Sequence, residues 1–223
     1  TKEDLAIVSA KNHKNATANP YAYFEKEYSI DEIMQSKNLT EDIRLLDCSL
    51  PCSGSAAILL ASEEMAKKIT DCPIWISGIG QKTISAGFTK NTDLTTMKST
   101  KDAAADAYKM SNIQPTDVDV AEIHDAFTVC EIIELEDLGF AKKGKGTSYT
   151  RNCYETQDKK INPRGGLIGA GHPLGATGIA QIVEIVQQLQ EKAGKRQVQG
   201  AKVGLVQNMS AAATSSTVLT LQS

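Results

Sequence analysis

One histidine stands in a glycine-rich loop, Asn162-Pro-Arg-Gly-Gly-Leu-Ile-Gly-Ala-Gly-His172-Pro-Leu-Gly-Ala-Thr-Gly178. Six glycines lie between positions 165 and 178, which is more backbone freedom than an ordinary turn needs. From 179 to 189 isoleucine, valine and leucine recur at helical spacing, and the glutamines at 187, 188 and 190 are expected to face water. The pattern predicts a functional loop that holds His172 at the entrance of an amphipathic helix.

Helices and strands alternate along the rest of the chain. A strand is predicted at 118–123, and His124-Asp125 separates it from a helix at 127–138 that Gly139 closes. Lysines at 142, 143, 145, 159 and 160 indicate an exposed excursion over 141–160. The alternation favours an α/β layered domain. The other predicted elements are helices at 5–12, 55–68 and 98–112, a short helix capped by Ser29, and strands at 73–79, 203–207 and 214–221.

The composition is that of an ordinary folded domain. The chain has 223 residues, of which 41% are hydrophobic and 23% charged, and its formal net charge is -3. That charge gives no broad basic surface for nucleic acid or an anionic membrane. No apolar run reaches bilayer length, and the polar start Thr1-Lys-Glu-Asp does not resemble a signal peptide. We therefore expect a cytoplasmic protein.

The five cysteines are Cys48, Cys52, Cys72, Cys130 and Cys153. They lack the paired spacing of a zinc site and are odd in number, so neither a metal centre nor a disulfide scaffold is expected. Cys52 precedes a predicted helix, where a thiol can become acidic, and is a weak candidate for a nucleophile. Cys130 follows His124 on a helix and is expected to be a core residue.

Several stretches resemble the thiolase family. The Gly-His-Pro loop around His172 is similar to the one whose histidine activates a cysteine nucleophile in that family, and residues 121–127, Ala-Glu-Ile-His-Asp-Ala-Phe, are similar to its second active-site loop. Residues 1–16 and 45–57 also fit, in particular the archaeal and sterol-carrier-protein-type branches, which carry histidine in the second loop. The likeness spans nearly the whole chain.

The resemblance implies the C-terminal part of a thiolase subunit. Thiolases have two similar halves, and the nucleophilic cysteine belongs to the first, so we expect it to come from an N-terminal half that this sequence lacks. The absence of an initiator methionine fits a fragment, a processed product or a split gene. The implied fold has helices on a mixed five-stranded sheet, with residues 1–72 as the tail of the N-terminal half and its loop insertion, and 73–223 as the C-terminal domain.

The resemblance also assigns roles to residues. His172 would take the proton of the nucleophile, and His124 would help to bind the thioester oxygen, whereas Asp125 is expected only to cap a helix. Taken without His172, His124 would also fit a core histidine whose polar atoms are hydrogen-bonded. His13 lies in a charged run that looks exposed; the family match gives it a weak link to the coenzyme A channel. The residues expected to contact substrate or an oxyanion are Gly171, Phe127, Asn208 and Ser210.

One expected group is missing. Most thiolases carry a second acid–base cysteine in a Cys-x-Gly motif near the last strands, where this chain has Ser210 and Ala211. Sterol-carrier-protein-type members move that cysteine into the His-Asp loop, where this chain has Ala126. Archaeal relatives also lack the late cysteine, so the departure favours that branch and leaves the second proton-transfer group unassigned.

The implied reaction is reversible condensation of two acetyl-CoA molecules to acetoacetyl-CoA and coenzyme A, a step of the mevalonate pathway and lipid metabolism. The substrates are coenzyme A thioesters, with no permanently bound cofactor. The implied partners are the N-terminal half, further copies in a homo-oligomer, 3-hydroxy-3-methylglutaryl-CoA synthase and a zinc-ribbon and OB-fold protein. A non-catalytic thiolase-like subunit that binds acyl-CoA or acts as a scaffold is the alternative, and a ketoacyl synthase relative is a weaker third.

Overall fold

The strands bury apolar side chains on both faces of one mixed sheet. In the computed structural model, which describes residues 1–85 and 93–223, the strands are β1 (Trp75–Thr83), β2 (Val120–Glu122), β3 (Val203–Met209) and β4 (Ser215–Gln222). Their order is β1-β4-β3-β2, with β4 antiparallel to both neighbours and β2 parallel to β3. The described residues form four strands rather than the expected five, because beside β2 the chain makes one isolated bridge, from Ile161 to Ala121, before it turns.

Helices cover the two faces of this sheet. Val120 packs in the cluster with Ile185, whereas its neighbour Ala121 packs in the cluster with Ala103, as the two-residue period of a strand requires. The helix Lys98–Ser111 lies so close to β1 that a Cβ on Gly80 would come within 1.9 Å of the Ala103 carbonyl oxygen. The helices are α1 (Lys2–Ala16), α2 (Ile30–Gln35), α3 (Glu63–Ile69), α4 (Lys98–Ser111), α5 (Thr128–Asp137), α6 (Gly146–Thr156), α7 (Gly166–Ala170) and α8 (Thr177–Leu189).

The predicted α/β layering is confirmed, and most elements fall within a few residues of their predicted positions. The helix predicted at 55–68 is wrong over its first half, since only Glu63–Ile69 is helical. Leu59 and Leu60 are 82% and 69% exposed, so nothing in the described part of the chain buries the apolar face that such a helix would need. No helix among the described residues is long and apolar enough to cross a lipid bilayer.

Two other predictions about exposure are wrong. The segment 141–160 contains α6, which packs on α1 and α5 and buries Thr150 and Cys153, so its lysines mark the ends of a helix rather than a free loop. Gln188 is buried, because its amide donates to Glu184 and to the Arg196 carbonyl. The domain boundary at residue 73 stays a prediction, although α1 packs directly on α6 and α7.

A buried polar network ties α1 to the centre of the molecule. The Asn12 amide nitrogen donates to Asp125 at 2.7 Å and to Glu131 at 2.8 Å. Lys11 lies 3.1 Å from the same Glu131 carboxylate, and the Asn162 amide donates to it at 3.0 Å. Buried carboxylates are costly unless donors surround them, so these contacts stabilise the loops that leave β2 and precede α7.

Replacing Asn12 with alanine is expected to lower the free energy of unfolding by about 2–3 kcal/mol, because two buried carboxylates lose a donor at once. Urea denaturation monitored by circular dichroism measures the change. Lys14→Ala is the matched control on the same helix and is expected to stay within about 0.5 kcal/mol of the parent. Equal stability of the two variants would contradict a structural role for the network.

Candidate active site

His124 follows β2 at the carboxyl end of the strand. Its backbone N–H donates to the Gln207 side-chain oxygen at 2.8 Å, and its carbonyl accepts from the Ala126 N–H at 2.8 Å. The residue is 6% exposed, so the imidazole stands at the surface of a cavity with little freedom to move. A short strand followed by a tight turn therefore fixes the position of the ring.

The hydrogen bonds around His124 determine which ring nitrogen carries the proton. Gln181 donates from Nε2 to the Gln207 carbonyl at 3.0 Å, so its Oε1 is the atom that accepts from Asn208 Nδ2 at 2.9 Å. The same Asn208 nitrogen lies 3.0 Å from His124 Nδ1 and directs its second proton there. Nδ1 is thus the acceptor, and the proton of the neutral ring is on Nε2.

The charge state of His124 agrees with this arrangement. Burial lowers the pKa of His124 to about 3, and the nearby His172 and Arg164 contribute in the same direction. The imidazole is therefore neutral at physiological pH and presents a single N–H donor. Arg164 is itself held in place, since its Nε donates to Glu122 at 2.8 Å.

His172 leaves α7 and is pinned through its backbone on both sides. Its N–H donates to the Leu50 carbonyl at 2.8 Å, and its carbonyl accepts from the Cys52 N–H at 3.4 Å. Residues 50–52 thereby form a strap along the loop. Burial, followed by the Arg164 charge, lowers the pKa of the half-buried His172 below its ordinary value, so this ring is also neutral near pH 7.

The ring of His172 is oriented by the first residue of α8. Nδ1 lies 2.8 Å from Thr177 Oγ1, and the Thr177 hydroxyl donates to the Pro173 carbonyl at 3.1 Å. Since that hydroxyl proton is directed to the carbonyl, Oγ1 can accept the proton of Nδ1. This leaves the lone pair of His172 Nε2 available as a base.

Asp125 joins the two histidine loops. Its carboxylate accepts from the N–H groups of Leu167 at 2.6 Å and Ile168 at 3.3 Å, so the helix that it caps is α7 rather than the following α5. A Cβ on Gly166, whose φ is 59°, would stand 2.2 Å from the carboxylate oxygen. Any larger residue at position 166 would therefore displace the Asp125 carboxylate that caps α7.

The two histidine rings meet at the wall of one cavity. Their centroids are 5.1 Å apart and their planes are nearly perpendicular, at 87°. The cavity has a volume of about 560 Å³ and is lined mainly by apolar atoms. Besides the two histidines, its wall includes Ile84, Leu94, Met97, Ala126, Phe127, Cys130, Leu174, Asn208, Met209, Ser210 and the alanines 211–213.

Two alanines in the cavity wall adopt a left-handed backbone. Ala212 and Ala213 have φ values of 55° and 50°, a region in which a Cβ is unfavourable by roughly 1 kcal/mol. Ser210 begins this turn, and its hydroxyl is within 2.8 Å of Thr214 Oγ1. The wall that closes the cavity beside Asn208 is thus held in a strained conformation.

Replacing Ala212 with glycine is expected to raise the free energy of unfolding by about 0.5–1 kcal/mol, because glycine adopts positive φ without a Cβ clash. Thermal unfolding measures the effect. Ala211→Gly is the matched control, since Ala211 is in the same turn without positive φ and should lose about 0.5–1 kcal/mol. If both variants were destabilised by a similar amount, the backbone at Ala212 would not be strained.

The structure brings together most of the residues expected at the site. His124, His172, Phe127, Asn208 and Ser210 all line the cavity. Gly171 ends α7 beside Cys52 and lies outside the wall, as does Cys52, which lines neighbouring grooves with Pro173.

His13 was expected in an exposed run, and that expectation is wrong. The residue is buried in α1 between the rings of Phe24 and Tyr28, at centroid distances of 5.0 and 4.8 Å. Its Nδ1 lies 2.9 Å from the Ser9 carbonyl oxygen, and burial lowers its pKa. His13 does not line the histidine cavity.

Three polar residues that orient the histidines were missed from sequence. Thr177 fixes the His172 ring, while Gln181 and Gln207 fix the tautomer and backbone of His124. A signal for Gln181 was present, because it interrupts the apolar face of α8 four residues after Thr177. In the described ranges, no cluster of three histidine, cysteine, aspartate or glutamate side chains could hold a metal ion.

Comparisons with known proteins agree on one family. The family model described as thiolase C-terminal domain-like matches residues 80–223. Acetyl-CoA acetyltransferase of Methanothermobacter thermautotrophicus is 42% identical over 211 residues, covering 94% of this chain and 55% of that protein. Sterol carrier protein 2 of Oryctolagus cuniculus is 41% identical over 226 residues, covering 93% of this chain and 39% of that protein.

A solved structure supports the same fold. The chain is similar to human mitochondrial 3-ketoacyl-CoA thiolase with a TM-score of 0.71 at 16% sequence identity, over 100% of this chain and 56% of the other. At that identity the likeness concerns the fold alone. The sequence spans about half the length of the acetyltransferase that it matches, and less of sterol carrier protein 2.

Proposed function

The chain belongs to the thiolase family, and we propose that it supplies the base and one oxyanion donor for acyl transfer between coenzyme A thioesters. The observation that carries the proposal is the pair of neutral histidines, 5.1 Å apart at the wall of one cavity, whose partners leave one Nε2 as an acceptor and the other as a donor. Acyl transfer at a thioester needs both functions at one place.

His172 is proposed as the general base. Nε2 would take the proton of a cysteine thiol, and the resulting imidazolium would keep its Nδ1–H donated to Thr177 Oγ1, 2.8 Å away. The nucleophile itself is proposed to come from a thiolase half that this sequence does not include. Cys52 is not proposed as the nucleophile, since it lies outside the cavity of the two histidines.

His124 is proposed as the oxyanion donor. The Nε2–H of a neutral imidazole would donate to the thioester oxygen as negative charge develops on it. Asn208 supports this role because it holds the tautomer from the opposite side of the ring. Phe127 and Ser210 are proposed to shape the substrate site around this donor, whereas Gly171 and His13 lie outside the cavity wall.

The proposed reaction is condensation of two acetyl-CoA molecules to acetoacetyl-CoA and coenzyme A, and its reversal. The relative at 42% identity, named acetyl-CoA acetyltransferase, supports this substrate class. An acyl-cysteine would form first, and the enolate of a second thioester would then attack it. No permanently bound cofactor is part of the proposal.

The acid limb of the pH profile is expected to lie below the ordinary histidine value. Because burial lowers the pKa of His172, the base form persists to lower pH, and kcat/KM should fall only as the pH drops through that lowered pKa. The expected midpoint is therefore below the reference value of about 6.5. A limb centred above that value would contradict a neutral His172.

The test is coenzyme-A-dependent cleavage of acetoacetyl-CoA by this chain alone and after mixing with the part of the Methanothermobacter acetyltransferase that it does not match. Activity only in the mixture supports a split catalytic site. Activity of the chain alone would show that one of its five cysteines is the nucleophile. No activity in either sample would favour the non-catalytic subunit.

That second candidate, an acyl-CoA-binding or scaffold subunit, is supported by the lack of cysteine at positions 126 and 210. The ordered histidine pair opposes it. The further expected partners stay predictions: another copy of the chain, 3-hydroxy-3-methylglutaryl-CoA synthase and a zinc-ribbon and OB-fold protein. So do the mevalonate pathway and the cytoplasmic location.

A further inference from the structure

A cysteine thiol lies in the wall of the cavity that holds the two histidines. Cys130 is in the first turn of α5, four residues after Ala126, and both residues line the cavity. Its backbone N–H donates to the Phe127 carbonyl at 2.9 Å, which fixes its place beside the His124 turn. The residue is 8% exposed, so its side chain is almost fully buried at the cavity edge.

The other protonatable groups of the described wall are already engaged. Asp93 accepts from Thr95 at 2.6 Å and from Thr96 at 2.9 Å, and these bonds close the turn before α4. Lys98 pairs with Asp102 at 2.6 Å. The Ser210 oxygen accepts the Ser215 N–H at 2.9 Å, and its hydroxyl can donate to Thr214 Oγ1 at 2.8 Å, since the Thr214 hydroxyl donates to the Ala211 carbonyl.

The histidines have one free nitrogen each, and the proposed function uses both. Nδ1 of His124 is occupied by Asn208, and Nδ1 of His172 by Thr177. The reaction still requires a second proton movement, because a thiolate leaves one thioester and a proton leaves the α-carbon of another. Within the described wall, Cys130 is the remaining group that could give and take this second proton.

We propose that Cys130 is the second acid–base residue of this site. The inference rests on the proposed acyl transfer. In the first half-reaction the nucleophilic thiolate attacks acetyl-CoA, the thioester C–S bond breaks, and the departing coenzyme A thiolate takes the proton of the Cys130 thiol. In the second, the Cys130 thiolate takes a proton from the methyl carbon of another acetyl-CoA, and the enolate displaces the nucleophile from the acyl group.

The protons balance over these two steps. Cys130 gives one proton to coenzyme A and regains one from carbon, while the nucleophile returns as a thiolate with its proton still on His172. Burial, and then the Glu134 charge, raises the pKa of Cys130 to about 12. The thiol therefore starts protonated, and the thiolate formed during turnover is a strong base, as removal of a proton from carbon requires.

The test compares Cys130→Ala, Cys130→Ser and the control Cys153→Ala in the mixture of the two thiolase halves. Cys153 is a buried thiol on α6 outside the cavity. Two signals are measured: covalent transfer of labelled acetyl from acetyl-CoA to protein, and incorporation of solvent deuterium into the methyl group of acetyl-CoA. The second signal reports removal of the α-proton directly.

Both Cys130 variants are expected to lose deuterium incorporation and condensation by at least about 100-fold. Acetyl transfer to protein should fall less than about tenfold, since water can protonate a departing thiolate, and Cys153→Ala should match the parent. The double variant Ala126→Cys/Cys130→Ala moves the thiol along the same wall and is expected to regain at least about tenfold over Cys130→Ala.

Separate outcomes overturn the two proposals. If the parent mixture forms no acetyl-protein, the proposed function fails and this inference fails with it. If the parent forms acetyl-protein and Cys130→Ala keeps parental deuterium incorporation, the function stands and the role of Cys130 is refuted. An equal loss of both signals in Cys130→Ala, with no gain in the double variant, would show a merely structural role.

Discussion

Replacing His172 with alanine is expected to lower turnover of the reconstituted enzyme by about 10³-fold, because His172 is the residue proposed to take the thiol proton of the nucleophile. The ring is half-buried, neutral and held through Thr177, so its removal deletes a positioned base and little packing. Steady-state cleavage of acetoacetyl-CoA measures the loss. Labelling with acetyl-CoA should show that formation of the acyl-protein is the slowed step.

Thr177→Val is the matched variant for this prediction. It keeps the size of the side chain and removes the oxygen that lies 2.8 Å from His172 Nδ1, so an intermediate loss of about tenfold is expected. The thermal unfolding of both variants should stay close to that of the parent. Turnover of His172→Ala at the parental rate would remove the catalytic proposal and leave the scaffold alternative.

Replacing Asn208 with aspartate is expected to lower kcat by about 10²–10³-fold, the usual effect of losing one oxyanion donor. A carboxylate at this position can only accept, so His124 would move its proton to Nδ1 and present a lone pair at Nε2. The change leaves the shape of the side chain almost unaltered. It therefore tests the direction of the two hydrogen bonds made by Asn208 Nδ2, to His124 Nδ1 at 3.0 Å and to Gln181 Oε1 at 2.9 Å.

Nitrogen NMR of the imidazole, at a pH near 8, tests the tautomer independently of turnover. The parent should carry its His124 proton on Nε2, and the aspartate variant on Nδ1. The aspartate side chain also favours the imidazolium form, so the pKa of His124 should rise from its low parental value. A parent protein with the proton on Nδ1 would contradict the donor role regardless of the kinetic result.

The sequence was most informative about the two histidine loops, whose conformation depends on neighbouring residues. The glycine run around His172 and the strand-to-helix step at His124 predicted two loops, and both are present with their histidines at one cavity. Turn chemistry and strand period depend on near neighbours, which a sequence displays directly. The resemblance supplied the link between the two loops, since 47 positions separate the histidines and nothing local relates them.

Two of the failures concern polar side chains that have hydrogen-bond partners inside the protein. The charged residues around Lys11 and His13 predict an exposed segment, yet the Lys11 ammonium group donates to Glu131, 120 positions away. The polarity of glutamine predicts that Gln188 faces water, whereas Glu184 and the Arg196 carbonyl accept hydrogen bonds from its amide inside the protein. Burial of such residues depends on partners that pattern reasoning cannot place.

The contacts of α1 show that the folding unit extends beyond the residues that the family model matches. The family match covers residues 80–223, but two carboxylates inside that range, Asp125 and Glu131, take donors from Asn12. A fragment that begins at residue 80 would keep Asp125 and Glu131 in its interior but would lack the Asn12 amide that donates to both. The cooperative unit that opens and closes as one must therefore include the first helix, and hydrogen exchange in α1 should track that of the histidine loops.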